Sequence, residues 1–126
     1  MKRELREYRK HPRYTKIIAM ECKIEEFPED ISGEKARLKK GNNFRATTIN
    51  VSEAGILINY DFIVPERTLL KISINDKALS PKKIIFLARV TWTKRNAYKI
   101  FGRFAAGLHL EKVNKVDLAR LIEHFS

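Results

Sequence analysis

The sequence predicts an all-β fold, a six-stranded antiparallel β-barrel with one C-terminal amphipathic α-helix. Three observations lead to this prediction. Apolar and polar residues alternate in successive short segments, which is the period of a strand with one buried face. Turn-forming residues separate these segments. Near the C-terminus the apolar period changes from two to about 3.6 residues, the period of a helix that packs by one side.

The first strand is predicted after Tyr14, where every second residue is apolar. The residues from Phe27 to Asn43 are polar and include Pro28, Gly33 and Gly41, so they predict a long loop or a distorted hairpin. The apolar positions of the first strand are Ile18, Met20, Cys22 and Ile24. Three further strands are predicted at about 44–50, 55–60 and 70–74.

The fifth and sixth strands have the longest apolar faces. The fifth runs from Ile84 to Thr93, and its predicted core face comprises Ile84, Phe86, Ala88, Val90 and Trp92. The sixth runs from about Tyr98 to Glu111, and its predicted core face comprises Ile100, Gly102, Phe104, Ala106, Leu108 and Leu110. The small residues at 102 and 106 predict close packing within a curved sheet or barrel.

The closing segment is predicted to be a helix that begins after Asn114. Asparagine is a favoured N-cap because its side-chain oxygen accepts hydrogen bonds from the first free backbone N–H groups. The apolar residues that follow are spaced at i, i+3, i+4 and i+7, and they are Leu118, Leu121, Ile122 and Phe125. A helix with one such apolar side can cap the barrel.

Length and charge restrict the class of protein. A chain of 126 residues fits one domain. It has 26 lysine and arginine residues against 15 aspartate and glutamate residues, a net charge of +11. Such an excess attracts anions, so nucleic acid, nucleotides, acidic proteins and anionic lipid headgroups are all candidate partners. No apolar run approaches the roughly 20 residues of a membrane-spanning helix, and no signal peptide is evident, so we expect a cytoplasmic protein without membrane insertion.

Signatures of catalysis and of metal binding are weak. The single cysteine, Cys22, permits neither an internal disulfide nor a cysteine-based metal cage. The three histidines, His11, His109 and His124, are widely separated and match no zinc motif. No glycine-rich loop leads into a helix, since the predicted helix comes last. We therefore expect a binding protein rather than an enzyme, with no metal and no cofactor.

The N-terminal residues 1–13 are dense in charge and poor in apolar groups, so they predict a flexible basic segment preceding a barrel at 14–126. Within this segment Arg9 and Arg13 are four positions apart. Arginine presents a planar fork of donors that grips phosphate oxygens and can stack on a base, and Pro12 stiffens the link between them. Taken alone, the pair is also consistent with a solvated basic tail.

A second short pattern, Asn50-Val51-Ser52-Glu53-Ala54-Gly55, lies between two predicted strands. Asn50 and Ser52 can bond the local backbone, and Gly55 permits either a positive φ or a close approach that a Cβ would block. The corner is thus either a structural turn or a turn whose amide and hydroxyl face a nucleobase or phosphate. The residues alone leave both interpretations open.

Together the two patterns resemble the PilZ family. That family has RxxxR before the first strand and [D/N]xSxxG at a strand corner, on a six-stranded antiparallel barrel with a C-terminal helix. The resemblance extends from Arg9 to about Phe125, and it includes a Val-x-Trp strand at residues 90–92. It implies that the chain is a bacterial receptor for the second messenger cyclic di-GMP.

The resemblance also implies roles for individual residues. Arg9 and Arg13 would hold the phosphates and stack near a guanine. Asn50 and Ser52 would bond a guanine edge or a phosphate, and Gly55 would keep the corner in shape.

Two neighbours of the arginines, Tyr8 and Lys10, complete the candidate ligand-binding set. Tyr8 would either stack on guanine or pack, and the resemblance implies that its position influences whether one ligand or a stacked pair is bound. Ligand binding would change the conformation of the N-terminal segment and signal to an effector protein in trans.

Two alternatives belong to other classes. A basic β-barrel can bind RNA or single-stranded DNA, but such a site needs exposed aromatic rings for base stacking. Most of the aromatic residues fall on predicted core faces, which argues against nucleic acid; these are Phe86, Trp92, Phe104 and Phe125. The other alternative is a PilZ-like adaptor that binds proteins without a ligand, and the intact motifs argue against it.

Overall fold

A computed structural model of the chain describes residues 17–28, 39–97 and 102–125. Within these residues the elements are β1 (Ile18–Glu26), β2 (Asn43–Val51), β3 (Gly55–Tyr60), β4 (Leu69–Ile74), β5 (Ile84–Arg95), β6 (Phe104–Lys112) and α1 (Lys115–His124). Neighbouring strands pair antiparallel and close a barrel in the order β1-β2-β3-β6-β5-β4. The predicted barrel with its C-terminal helix is confirmed.

Alternation directs one face of β1, β3 and β4 into the barrel. In β1 every second side chain from Ile18 to Ile24 is buried, and the residues between them are exposed. The predicted core position of Cys22 is confirmed, because its side chain is 0% exposed and belongs to the central apolar cluster. Burial raises the pKa of this thiol well above its usual range, so it acts as a small apolar group.

Helix α1 covers one end of the barrel. The Asn114 side-chain oxygen accepts hydrogen bonds from the backbone N–H groups of Val116 (2.8 Å) and Asp117 (3.2 Å), which confirms the predicted N-cap. Leu121 is fully buried in the same cluster as the inward side chains of the strands. The Arg120 guanidinium donates to the hydroxyl of Ser80 at 3.0 Å and so attaches the helix to the β4–β5 connection.

The sixth strand begins later than the sequence predicted. It starts at Phe104 rather than at about Tyr98, and residues 98–101 lie outside the described part of the chain. Ala106 and Leu108 face the core as expected, whereas Phe104 and Leu110 are only partly buried. Gly102 has a φ of +149°, and a Cβ there would lie 2.7 Å from backbone atoms of Tyr60, so the predicted close packing at 102 is confirmed.

Two β-bulges interrupt the alternation of β2 and β5. In β2 the register with β3 shifts between Thr48 and Asn50, and in β5 the register with β6 shifts between Val90 and Trp92. Each bulge adds one residue, so the next side chain changes faces. The prediction that Trp92 lies in the core is therefore wrong: Val90 is buried, but Trp92 is 41% exposed on the outer wall.

No helix among the described residues has both the length and the apolar character that crossing a membrane requires.

Candidate ligand-binding cleft

The bulge in β2 turns Asn50 toward solvent. The Thr48 hydroxyl is buried at this bulge, where it donates to the Leu57 carbonyl and accepts a hydrogen bond from the Asn50 backbone N–H at 3.2 Å. With the extra residue in place, Val51 points into the core and Asn50 points out. No hydrogen bond within the described ranges engages the side-chain amide of Asn50, so both its donor and its acceptor are available.

The connection from β2 to β3 is a two-residue hairpin turn. The backbones of Ser52 and Gly55 exchange hydrogen bonds, with Ser52 N donating to Gly55 O at 2.9 Å and Gly55 N donating to Ser52 O at 3.3 Å. The Ser52 hydroxyl accepts a hydrogen bond from the Ala54 N–H at 3.3 Å. This exposed hydroxyl therefore supports the turn, as the structural interpretation of the corner expected, and keeps one lone pair for solvent or a ligand.

Gly55 is required for a different reason from the positive φ considered above. The positive-φ glycines of the described chain are Gly41 and Gly102, and Gly55 is not among them. A Cβ on Gly55 would instead lie 2.1 Å from the backbone oxygen of Leu108 on β6. Close approach of the two strands is thus the correct explanation, and the positive-φ alternative is wrong.

Strand register places the two bulged positions in one row. Asn50 pairs with Leu57, Leu57 pairs with Gly107, and Gly107 pairs with Trp92, across β2, β3, β6 and β5. At an inter-strand spacing of about 4.8 Å, the row is roughly 14 Å long. The Trp92 indole lies over Gly107, where an added Cβ would come within 2.2 Å of the indole Nε1 atom.

This row forms part of the floor of an open cleft of about 480 Å³, which also borders Ser52 and Gly55. The Lys94 ammonium, also at the cleft, lies 6.0 Å from the centre of the Trp92 ring. The cleft therefore combines a flat aromatic surface, a free amide and a cation. These groups suit a nucleotide, because a base needs stacking and edge hydrogen bonds while its phosphate needs positive charge.

The structure brings three of the predicted site residues together. Asn50, Ser52 and Gly55 border one cleft. The remaining candidates lie outside the described residues, and they are Tyr8, Lys10, Arg9 and Arg13. The sequence pattern does not identify Trp92 and Lys94 as site residues. Alternation alone assigns Trp92 to the core, because it does not show the bulge that turns this residue outward, and β5 extends to Arg95, beyond the predicted end of the strand at Thr93.

Metal coordination has no support in the described ranges. No group of three or more histidine, cysteine, aspartate or glutamate side chains there is arranged to hold a metal ion. His109 lies on the outer wall, paired with Gly55 and with Arg89. His124 instead lies on α1, with its ring 5.3 Å from that of Phe125.

An antiparallel barrel with an open, nucleotide-compatible cleft on its wall defines a binding module. The protein-family model of the PilZ domain matches residues 7–125 of the sequence, so the chain belongs to the PilZ family. PilZ domains are cyclic-di-GMP-binding and adaptor modules rather than enzymes. The searches of curated proteins and of solved structures returned no match.

Proposed function

We propose that this chain is a cyclic-di-GMP receptor and that the ligand binds in the cleft beside the Asn50–Gly55 corner. One observation carries the proposal: two separate bulges direct the Asn50 amide and the Trp92 indole onto the same row of the outer wall. Bulges re-aim side chains at functional sites. A merely structural turn would need neither the free amide nor the exposed indole.

The cleft offers a partner to each part of a guanine nucleotide. Guanine stacks on the Trp92 ring, an interaction worth about 1–3 kcal/mol for a base on an aromatic side chain. The Asn50 amide both donates and accepts, so it matches an edge of guanine that presents donors and acceptors. Lys94 supplies positive charge for a phosphodiester. Ser52 and Gly55 keep the turn close to β6.

The arginine pair of the PilZ motif RxxxR adds the phosphate contacts to this site. Arg9 and Arg13 hold the two phosphodiester groups, flanked by Tyr8 and Lys10. Hydrogen bonds from guanidinium to phosphate contribute about 1.5–3 kcal/mol each. Loss of either arginine should therefore weaken binding about tenfold to a hundredfold.

The receptor signals through its N-terminal segment. The ligand joins Arg9 and Arg13 to the barrel wall, changes the conformation of residues 1–13 and presents a new surface to an effector protein in trans. Amide hydrogen exchange with and without cyclic di-GMP tests this step. New protection across residues 5–13 on addition of ligand is expected, and equal protection in both states would rule the switch out.

Calorimetric titration of the full chain tests the proposal itself. Cyclic di-GMP should bind, whereas GTP and cyclic di-AMP should bind much more weakly. The Arg9→Ala and Arg13→Ala variants should lose affinity, while Arg45→Ala, which removes an exposed arginine from β2, should bind like the wild type. An equal loss of affinity in all three variants would mean that net charge, and not a specific site, explains the effect. Unchanged binding by Arg9→Ala and Arg13→Ala would refute the proposed site.

The single tryptophan gives a second readout. Trp92 is the only tryptophan in the chain and it lies in the cleft. Stacking of guanine on its indole should therefore change its fluorescence with the same midpoint as the calorimetric titration. An unchanged emission spectrum at saturating ligand would place the base elsewhere.

The exposed Trp92 also favours a second candidate, the binding of single-stranded nucleic acid. An exposed ring beside Lys94 is the type of platform on which such proteins stack bases. Nucleic-acid sites combine several platforms along a groove, however, and this cleft provides one aromatic ring within the described residues. A short oligo(dT) or oligo(U) that displaces cyclic di-GMP at micromolar concentration would favour this alternative.

A further inference from the structure

A row of lysines crosses the barrel wall on the side of β4. Lys23 on β1 pairs with Lys71 on β4, Lys71 pairs with Leu87 on β5, and Leu87 pairs with Lys112 on β6. Like charges placed directly opposite each other on a sheet are destabilising. The row therefore concentrates positive charge where the fold itself gains nothing from it.

An apolar floor lies between these lysines. Ile85 is 47% exposed, and Leu87 and Val113 are half-buried. With Lys71 and Lys112 they line a cleft of about 530 Å³. We call these five residues the lysine face. Ile85, Leu87 and Val113 line the same cleft, and contiguous exposed apolar area of this kind marks interaction sites.

The two ammonium groups of the lysine face lack a partner among the described residues. Glu25 borders the cleft, but its carboxylate lies 3.8 Å from the Lys23 ammonium, with which it forms an ion pair. For Lys71 and Lys112, the part of the chain that the structure describes provides no hydrogen bond and no ion pair. Both ammonium groups are thus available to an external anion.

We propose that the lysine face docks an acidic segment of a partner protein that also carries aliphatic side chains. Carboxylates of the segment pair with Lys71 and Lys112 on either side, and its aliphatic residues cover Ile85 and Leu87. Charge complementarity selects an acidic partner. The floor is aliphatic and, among the described residues that line it with a side chain, offers no exposed aromatic ring for a base, which favours protein over nucleic acid.

The lysine face and the cyclic-di-GMP cleft are separate. β5 borders both, but its first half contributes Ile85 and Leu87 to one and its second half contributes Trp92 and Lys94 to the other. A partner could therefore remain docked while the ligand binds. Docking at the lysine face is independent of the proposed ligand, so it can be measured without cyclic di-GMP.

The test is an NMR titration of the ¹⁵N-labelled full chain with a capped heptapeptide of alternating glutamate and leucine. Saturable shifts are expected at residues 71–73, 85–87 and 112–113, weakening as salt is raised, with little change at 50–55. The Lys71→Glu/Lys112→Glu double variant should bind at least tenfold more weakly, and Ile85→Ser at least threefold. The spectrum of each variant shows directly whether it is folded, and Lys112→Glu alone provides a milder change at an exposed position.

Matched controls lie elsewhere on the surface. Lys40→Glu reverses the charge of a lysine in an exposed turn, and Ile63→Ser removes an isoleucine that is 50% exposed in the β3–β4 connection; both should bind the peptide within twofold of the wild type. Equal binding by heptaglutamate would show that the aliphatic floor is unused. Stronger binding of an oligo(dT) or of phosphatidylglycerol vesicles to the same residues would assign the face to nucleic acid or to lipid. Each of these results would overturn the proposal, and so would peptide-induced shifts spread over all surface lysines.

Discussion

Replacement of Gly55 by alanine tests the close contact between β3 and β6 on which the cleft depends. The new Cβ would lie 2.1 Å from the Leu108 carbonyl oxygen and 3.2 Å from its carbon. Ordinary contacts between carbon and a carbonyl oxygen are about 3.3 Å or longer. The strands must therefore move apart by about 1.2 Å at this point. Leu108 resists such movement, because its side chain is buried and its strand pairs on both sides.

The expected cost follows from two contributions. Overpacking a well-packed site costs about 1–3 kcal/mol, and weakening one ladder hydrogen bond at this end of the β3–β6 pair costs about 1 kcal/mol. Gly55→Ala should therefore lower the free energy of unfolding by about 2–4 kcal/mol. For a domain of this size, that corresponds to a fall in Tm of about 8–16 °C.

Urea and thermal unfolding followed by circular dichroism measure this difference. Gly107→Ala is the matched control, because the atoms nearest to its Cβ would be side-chain atoms of Trp92, the closest at 2.2 Å. The exposed indole can swing away, so this variant should lose less than about 1 kcal/mol while its tryptophan fluorescence changes. A Gly55→Ala variant within about 0.5 kcal/mol of the wild type would refute the argument that strand approach requires glycine here.

Three further predictions concern other parts of the molecule. Asn50→Ala should weaken cyclic-di-GMP binding in calorimetry by about twofold to tenfold, as expected for a neutral hydrogen bond, whereas Asn43→Ala at the other end of β2 should not. The buried Cys22 thiol, whose pKa burial raises, should resist a thiol reagent at pH 8 until urea unfolds the chain; rapid native labelling would contradict its place in the core. A hydrogen bond from Arg89 lowers the pKa of the Glu111 carboxyl, so this exposed pair stabilises the fold above the ordinary carboxyl pKa and loses that effect as the pH falls through the lowered value. Glu111→Gln should accordingly lower the free energy of unfolding by less than about 1 kcal/mol at pH 7. The difference in Tm between this variant and the wild type should narrow below about pH 4, and a difference that stays constant with pH would exclude the ion pair as its cause.

Local sequence determined most of the architecture. Alternation in β1 placed Ile18 to Ile24 inside, and the change of period after Asn114 located both the helix and its cap. The Asn50–Gly55 corner was also recognisable, because turn residues between two alternating segments are a short-range signal. These features depend on residues near one another in the chain, and a linear reading of the sequence contains them.

The cleft, in contrast, was decided by the tertiary structure. Alternation alone assigned Trp92 to the core with Val90, and nothing in the local pattern of β5 indicates the extra residue between them. A bulge exists only relative to a partner strand, so its position depends on how β5 pairs with β6 and how β2 pairs with β3. The same register places Gly107, a residue without a side chain, beneath the indole. Asn50 and Trp92 are 42 residues apart in the sequence. The pairing of β3 with β6 brings them into one row, because it joins β2 and β3 to β6 and β5 in an order that the chain does not follow.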